Sequence, residues 1–203
     1  MSNMTPSMTD DQVNKLVEQF RAYAIKHAKD YTSEASQVAL GTKGLVEKMF
    51  VPFRERVEAV SNMIIRHVTV DLGLTGQQAL KATGRVRYTT DSVVSAMPRP
   101  TVTEASVYFF NIGRDVSCAD LYKEYELRGL EPVDPFTLAA VNKADPAFAD
   151  SHPNATQWTD VNDKFCYEAF TRWGDERGVR VYQFVGDWLG EWWFGGVRKS
   201  TQT

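Results

Sequence analysis

The sequence predicts an α+β fold: an N-terminal helical hairpin followed by a C-terminal antiparallel β-meander packed by short helices. Three observations carry this. Apolar residues recur every three to four positions through residues 13–31 and 45–68, which is a helical period. Residues 164–198 instead break into short alternating segments separated by Gly/Asp-containing loops, which is strand and turn grammar. All five tryptophans, Trp158, Trp173, Trp188, Trp192 and Trp193, fall in that C-terminal window or at its edge, and residues 1–157 hold none. Aromatic side chains bury the most area per residue and are enriched where proteins bind, so this window is either the densest core or a recognition surface.

Taken in order, residues 1–8 read as a loose tail. Thr9-Asp10-Asp11-Gln12 has the form of a capping box. Val13, Val17, Phe20, Ala24, His27 and Tyr31 then share one helical face, with the helix ending near residues 29–31. Leu45, Met49, Phe53, Val57, Val60, Ile64 and Val68 form a second stripe. Pro52 interrupts it and predicts a kink or a restart there. A turn around Gly41–Gly44 would fold the two helices into a hairpin, whose apolar face must cover something or pair with another copy.

Residues 75–82 and 90–97 read as brief helices on either side of Gly84-Arg85-Val86-Arg87-Tyr88. Lys81, Arg85 and Arg87 would be the basic residues of a DNA-binding helix-turn-helix, but the spacing carries no such signature. Pro98-Arg99-Pro100 marks a boundary, giving segments 1–70 (hairpin), 71–100 (connector) and 101–203 (α+β domain). Residues 105–112 read as a strand with Val107 and Phe109 opposite Tyr108 and Phe110. Ser117 opens a helix that Gly129 closes, and Asp134-Pro135 and Asp145-Pro146 each place an N-cap before proline. Three strands follow, over 164–170, 179–184 and 191–198. Both faces of these strands are apolar. Helices should therefore cover one side, and the other must be covered too or used for binding.

Composition narrows the function classes. The net charge of −3 hides an asymmetry: residues 1–98 carry 12 Lys/Arg against 10 Asp/Glu, whereas residues 99–203 carry 11 against 16. An acidic aromatic half disfavours nucleic acid as a partner, since phosphate binding needs clustered cations. The N-terminus shows no signal peptide, and no apolar run reaches membrane-spanning length, so the expected location is cytoplasmic with no membrane partner. Cys118 and Cys166 are too few for a disulfide framework and lack metal-ligand spacing, which makes them reduced structural thiols. No metal site and no cofactor motif is expected.

No catalytic constellation is legible. The candidates are His152 with Asp150 and Asp160, near which Glu168 also falls; a hydrolase or transferase could draw a base and its orienter from them. A histidine before proline in a turn is more simply a polar turn residue. Trp158, Trp173 and Trp188 recur every 15 residues, which would put one near each turn along a single sheet edge. Flanked by the loop carboxylates Asp175 and Asp187, such an edge suits a small polar ligand, a cationic group or a peptide. These five residues are the expected binding positions.

The run LAAVNKADPAFADSHPNATQW (Leu138–Trp158) and the ending WWFGGVRK (Trp192–Lys199) resemble a segment of small bacterial and phage proteins of uncharacterised activity. The likeness covers roughly residues 85–199. It implies that the C-terminal half is a self-standing unit and transfers no catalytic residues. The leading expectation is a non-enzymatic binding or assembly protein. Its N-terminal helices would mediate self-association or docking, and its Trp-rich domain would recognise a protein partner or ligand.

Overall fold

The computed structural model describes residues 8–199, the side chains of residues 54, 55 and 58 excepted. The expected loose tail lies outside them but for Met8. The fold is α+β, and the chain divides into two compact units, Met1–Phe53 and Arg54–Thr203.

In the first unit, helix α1 (Asp10–His27) opens on the capping box read from the sequence. Thr9 accepts from the Gln12 N–H, and the Gln12 side chain returns to the Thr9 N–H. A 3₁₀ turn and helix α2 (Ser33–Leu40) follow, the latter capped by the Thr32 hydroxyl. The sequence predicts two helices over this stretch and the structure has three, because Thr32 supplies an N-cap ahead of Gly41. Helix α3 (Leu45–Ser61) runs through Pro52 without restarting, and the two units divide just beyond that proline. Phe20 of α1 stacks on Phe50 of α3 at 6.1 Å. No residue of α1 or α2 is buried; Val17 is 59% and Val38 76% exposed.

The second apolar stripe does not stay helical to Val68. The helix stops at Ser61, and Ile64–Thr69 is strand β1, antiparallel to β3 (Glu104–Asn111). The run Ile64-Ile65-Arg66-His67-Val68-Thr69 is rich in β-branched residues and alternates in burial, so period two wins over the apparent period of four. The connector is likewise part of the sheet. Helices α4 (Gly76–Ala82) and α5 (Asp91–Ser95) stand where expected, but strand β2 (Val86–Thr89) lies between them and pairs in parallel with β8 (Glu176–Gln183). No helix-turn-helix forms. Arg85 is buried instead, donating to the carbonyls of Thr171 and Pro146.

After β3 come β4 (Val116–Ser117), α6 (Cys118–Leu127) and β5 (Leu130–Pro132), then α7 (Pro135–Ala144) and α8 (Phe148–Ser151). Ser117 and Asp134 cap α6 and α7 as the sequence predicts, and Gly129 takes the left-handed conformation past α6 at φ 66°. Asp145 differs: it closes α7 rather than capping α8. Strands β6 (Asn154–Thr159), β7 (Phe165–Trp173), β8, β9 (Asp187–Trp188) and β10 (Trp193–Arg198) complete the chain.

The main sheet runs β1-β3-β10-β6-β7-β8-β2, with β5 also paired to β10. Two antiparallel runs, β1-β3-β10 and β6-β7-β8, meet at the parallel β10–β6 pair. The last strand leaves β8 and inserts between β3 and β6, parallel to β6, which corrects the expected order. Gly195 and Gly196 permit this central position: a Cβ on either would meet buried neighbours at 3.0 Å.

Alternation sorts the two faces. Val107, Phe109, Cys166, Phe170, Val179 and Val181 join residues of α4, α5, α7 and α8 in one core. Phe110, Ala155, Ala169 and Phe194 face the other way, against Leu121 and Tyr125 of α6 and Trp188 of β9. Helices α4, α5, α7 and α8 pack on the first face, while among the described residues α6 is the helix that contributes to the second core.

Candidate functional site

On that second face α6 reaches β7 at Phe165, through Tyr122, and toward their shared turn β7 and β8 meet a loop instead. They form a hairpin whose two-residue turn is Gly174-Asp175, with Gly174 at φ 57° as the first turn position requires. Tyr167, Ala169, Thr171 and Trp173 share this face of β7. Arg180 stands opposite Ala169, and Gly178 stands opposite Thr171. With no side chain at Gly178, Arg180 reaches along the strand, and its guanidinium carbon lies 3.5 Å from the centre of the Trp173 ring.

The facing wall is the segment from Phe184 to Trp192. Trp188 is its anchor. Its indole N–H donates to Gln157 Oε1 at 2.9 Å, while Gln157 Nε2 donates to the Cys118 carbonyl at 2.7 Å. Phe184 stacks on Trp188 at 4.6 Å, and Tyr167 and Trp192 meet it edge-on at 5.5 and 5.6 Å. The loop is fixed to β3 by Asn111 Nδ2, which donates to the carbonyls of Gly190 and Trp192, both at 2.8 Å. Asp115 accepts from the Gly190 N–H, and a Cβ on Gly190 would lie 2.9 Å from the Arg114 nitrogen, so only glycine seats there.

Between these walls lies a cleft of about 380 Å³, floored by Ala169, Thr171 and Pro153 and rimmed by Asp187, Leu189 and Glu191. Trp173 is 46% exposed and Trp188 2%. One is available surface and the other is support. Among the described residues, Arg180, Asp187 and Glu191 make no ion pair and no side-chain hydrogen bond.

Of the five expected binding residues, Trp173, Trp188 and Asp187 line this cleft. Trp158 does not. It lies in the helix-covered core, 7% exposed, because alternation along β6 turns Thr156 and Trp158 away from Ala155 and Gln157. Asp175 sits in the hairpin turn bonded to Arg172 and does not line the cleft. Sequence reasoning missed Arg180 and Tyr167. The available signal was alternation in β8, where Arg180 shares a face with Tyr182 and Phe184.

The catalytic candidates are dispersed. His152 lies between the Phe148 ring, stacked at 5.1 Å, and the Trp193 ring, edge-on at 5.0 Å, and its Nδ1 meets Ser151 Oγ at 2.8 Å. Asp150 is held by the Arg177 fork, which keeps its carboxyl below the usual range. Asp160 caps its own turn through the backbone N–H groups of Lys164 and Asn162, which lower it similarly. Neither aspartate, nor Glu168, hydrogen-bonds His152.

Two further features lie in the helix-covered half. Glu168 is fully buried, and neither carboxylate oxygen has a hydrogen-bond partner; burial, then the nearby Asp134, pushes its pKa well above the ordinary value. A second cavity of about 380 Å³ lies between α4, α7 and β1, lined mainly by alanine, valine and Phe136, with His67, Asp71 and Lys143 at its edge. Cys118 and Cys166 are buried free thiols, and burial pushes Cys118 up to about 11, so neither is a ready nucleophile. Among the described residues no helix is long and apolar enough to cross a membrane. No family model, curated protein or solved structure matches this chain.

Proposed function

We propose that this is a non-enzymatic binding and assembly protein, with a recognition cleft on the β7–β8 face and N-terminal helices that associate with a second copy of the chain. One observation carries the recognition half. The part of the second sheet face that α6 leaves uncovered presents an exposed Trp173 under Arg180, beside aromatic walls and the Asp187 and Glu191 carboxylates. A volume of a few hundred Å³, apolar walls and a few convergent polar groups are the usual properties of a ligand pocket. Tryptophan, tyrosine and arginine are also the residues most enriched at binding hot spots. The test is a titration of small-molecule mixtures followed by backbone amide chemical shifts. Shifts should concentrate at Ala169, Thr171, Arg180 and Leu189 and vanish in Trp173→Ala. Shifts confined to other regions, or unaffected by that substitution, would count against the cleft.

A separate observation favours self-association. Helices α1 and α2 bury none of their residues, although Val13, Val17, Phe20 and Ile25 of α1 and Val46, Met49 and Phe50 of α3 carry substantial exposed apolar area. Amphipathic helices owe most of their stability to packing of the apolar face, so this area calls for a partner, and hairpins of two copies closing into a bundle would supply it. Light scattering on the full chain should give a multiple of the 22.9 kDa monomer mass. Val17→Glu combined with Met49→Glu should return it to the monomer. A wild-type chain that stays monomeric at tens of micromolar would remove this half of the proposal.

A further inference from the structure

The geometry points to a ligand class for the cleft: we infer that it takes a planar ring bearing an anionic group, with the ring between the aromatic walls and the anion on Arg180. This deepens the recognition reading above and rests on it.

Arg180 is the cation among the residues that line the cleft, and it lacks an acidic partner among the described residues. Asp187 and Glu191 line the same cleft, yet neither pairs with Arg180. Trp173 covers one flat face of the guanidinium at 3.5 Å. That contact strips water from the face while leaving the in-plane N–H groups free. A guanidinium prepared this way is suited to accept a carboxylate or phosphate bidentately along its edge. Tyr167 contributes a ring rather than charge, since burial raises its pKa above the ordinary value.

The rest of the cleft selects the body of the ligand. The floor is small, at Ala169 and Thr171, whereas the walls are Trp173 on one side and Phe184, Trp188 and Trp192 on the other. A floor of small residues between aromatic walls accommodates a flat group, and stacking on such walls favours a ring. The carboxylates at the far rim repel an anion toward Arg180 and accept from amino groups at the ligand's other end. They therefore set its direction.

Phosphate and carboxylate are two sources of the same chemistry, and calorimetry with two probe pairs separates them. Adenosine monophosphate is compared with adenosine, and N-acetyltryptophan with its amide, on the full chain. The anionic member of at least one pair should bind at least about tenfold more tightly than its neutral partner, as expected for a charge-assisted bidentate contact. Arg180→Met should abolish that difference while leaving the weaker binding of the neutral ring. Trp173→Ala should weaken both members. Amide spectra of each variant, matching wild type outside the cleft, verify folding. Equal affinity within both pairs, or an advantage that survives Arg180→Met, overturns the anion assignment and leaves the cleft as a ring-binding site. Absence of saturable binding by all four probes up to several millimolar overturns the inference. The chemical-shift titration with mixtures then decides separately whether the cleft binds anything.

Discussion

Trp188 and Gln157 are joined across the sheet face by a 2.9 Å hydrogen bond from the indole N–H to the side-chain carbonyl. Gln157 spends its amide group on the Cys118 carbonyl at the start of α6. One glutamine thus ties the loop that walls the cleft to the helix that covers the neighbouring half of the same face. Both side chains are essentially inaccessible, so the contact is made where an unpaired group is expensive.

Replacing Gln157 by leucine leaves the buried Trp188 indole N–H without a partner and removes the side-chain bond to the Cys118 carbonyl. The expected loss is about 1–3 kcal/mol, with a fall in melting temperature of several degrees for a domain of this size. Since Trp188 loses its tether, the cleft should loosen as well. Amide exchange at residues 187–192 would speed up relative to the helical core. An unchanged melting temperature together with unchanged exchange would show that the bond contributes nothing.

Glu168 predicts a pH dependence of stability. Its folded-state pKa is raised, so between the unfolded value and the folded one the native state binds more protons than the unfolded chain. Stability from this group is full below about pH 4 and is lost as the pH rises through the folded value. Glu168→Gln, which imitates the neutral acid, should therefore be more stable than wild type at pH 8 and nearly equal to it at pH 4. Denaturant midpoints at the two pH values check the sign. A variant less stable than wild type at pH 8 would mean the ionised carboxylate has a partner.

Gly195 and Gly196 are predicted to resist even alanine. A Cβ at Gly195 would stand 3.0 Å from Val133 Cγ1 and 3.1 Å from Phe109 Cε1, both in a closed core. At Gly196 it would meet the Glu131 carbonyl oxygen at 3.0 Å, which is backbone and cannot rotate away. Overpacking of this kind costs about 1–3 kcal/mol, with Gly196→Ala the worse of the two. Urea unfolding of both variants tests the ranking.

The tryptophans should separate in fluorescence quenching. Trp173 is 46% exposed, while Trp158 and Trp188 are 7% and 2%. Trp173→Phe should remove most of the iodide-quenchable emission, and Trp158→Phe should remove almost none. The reverse order would contradict the assignment of Trp158 to the core.

Local chemistry made much of this fold legible. The capping box at Thr9, the N-caps at Ser117 and Asp134 and the left-handed Gly129 depend on side chains and backbone a few residues apart, and the structure has them where the sequence put them. Alternation also assigned faces correctly: Val107 and Phe109 oppose Phe110, and Trp192 opposes Trp193. What failed were judgements about pairing. Ile64 and Val68 fit a helical stripe and a strand equally well by spacing, and hydrogen bonding to a strand 40 residues later decided for the strand. The last strand follows β8 in the chain but pairs with β3 and β6, a choice permitted by two glycines whose value appears only when Phe109, Tyr125 and Leu138 close around them.

The same division holds for the site. The sequence by itself determined that the aromatic area is concentrated near the C-terminus, that both faces of the strands are apolar, and that carboxylates occupy the loops, since these depend only on composition and period. Tertiary structure decided which aromatic side chains are available. Trp158, Trp173 and Trp188 are evenly spaced along the chain, yet one lies in the helix-covered core, one supports a loop and one stands open under Arg180. Four helices pack on one face and α6 on part of the other, and the extent of that cover is a property of long-range packing that no spacing between residues records.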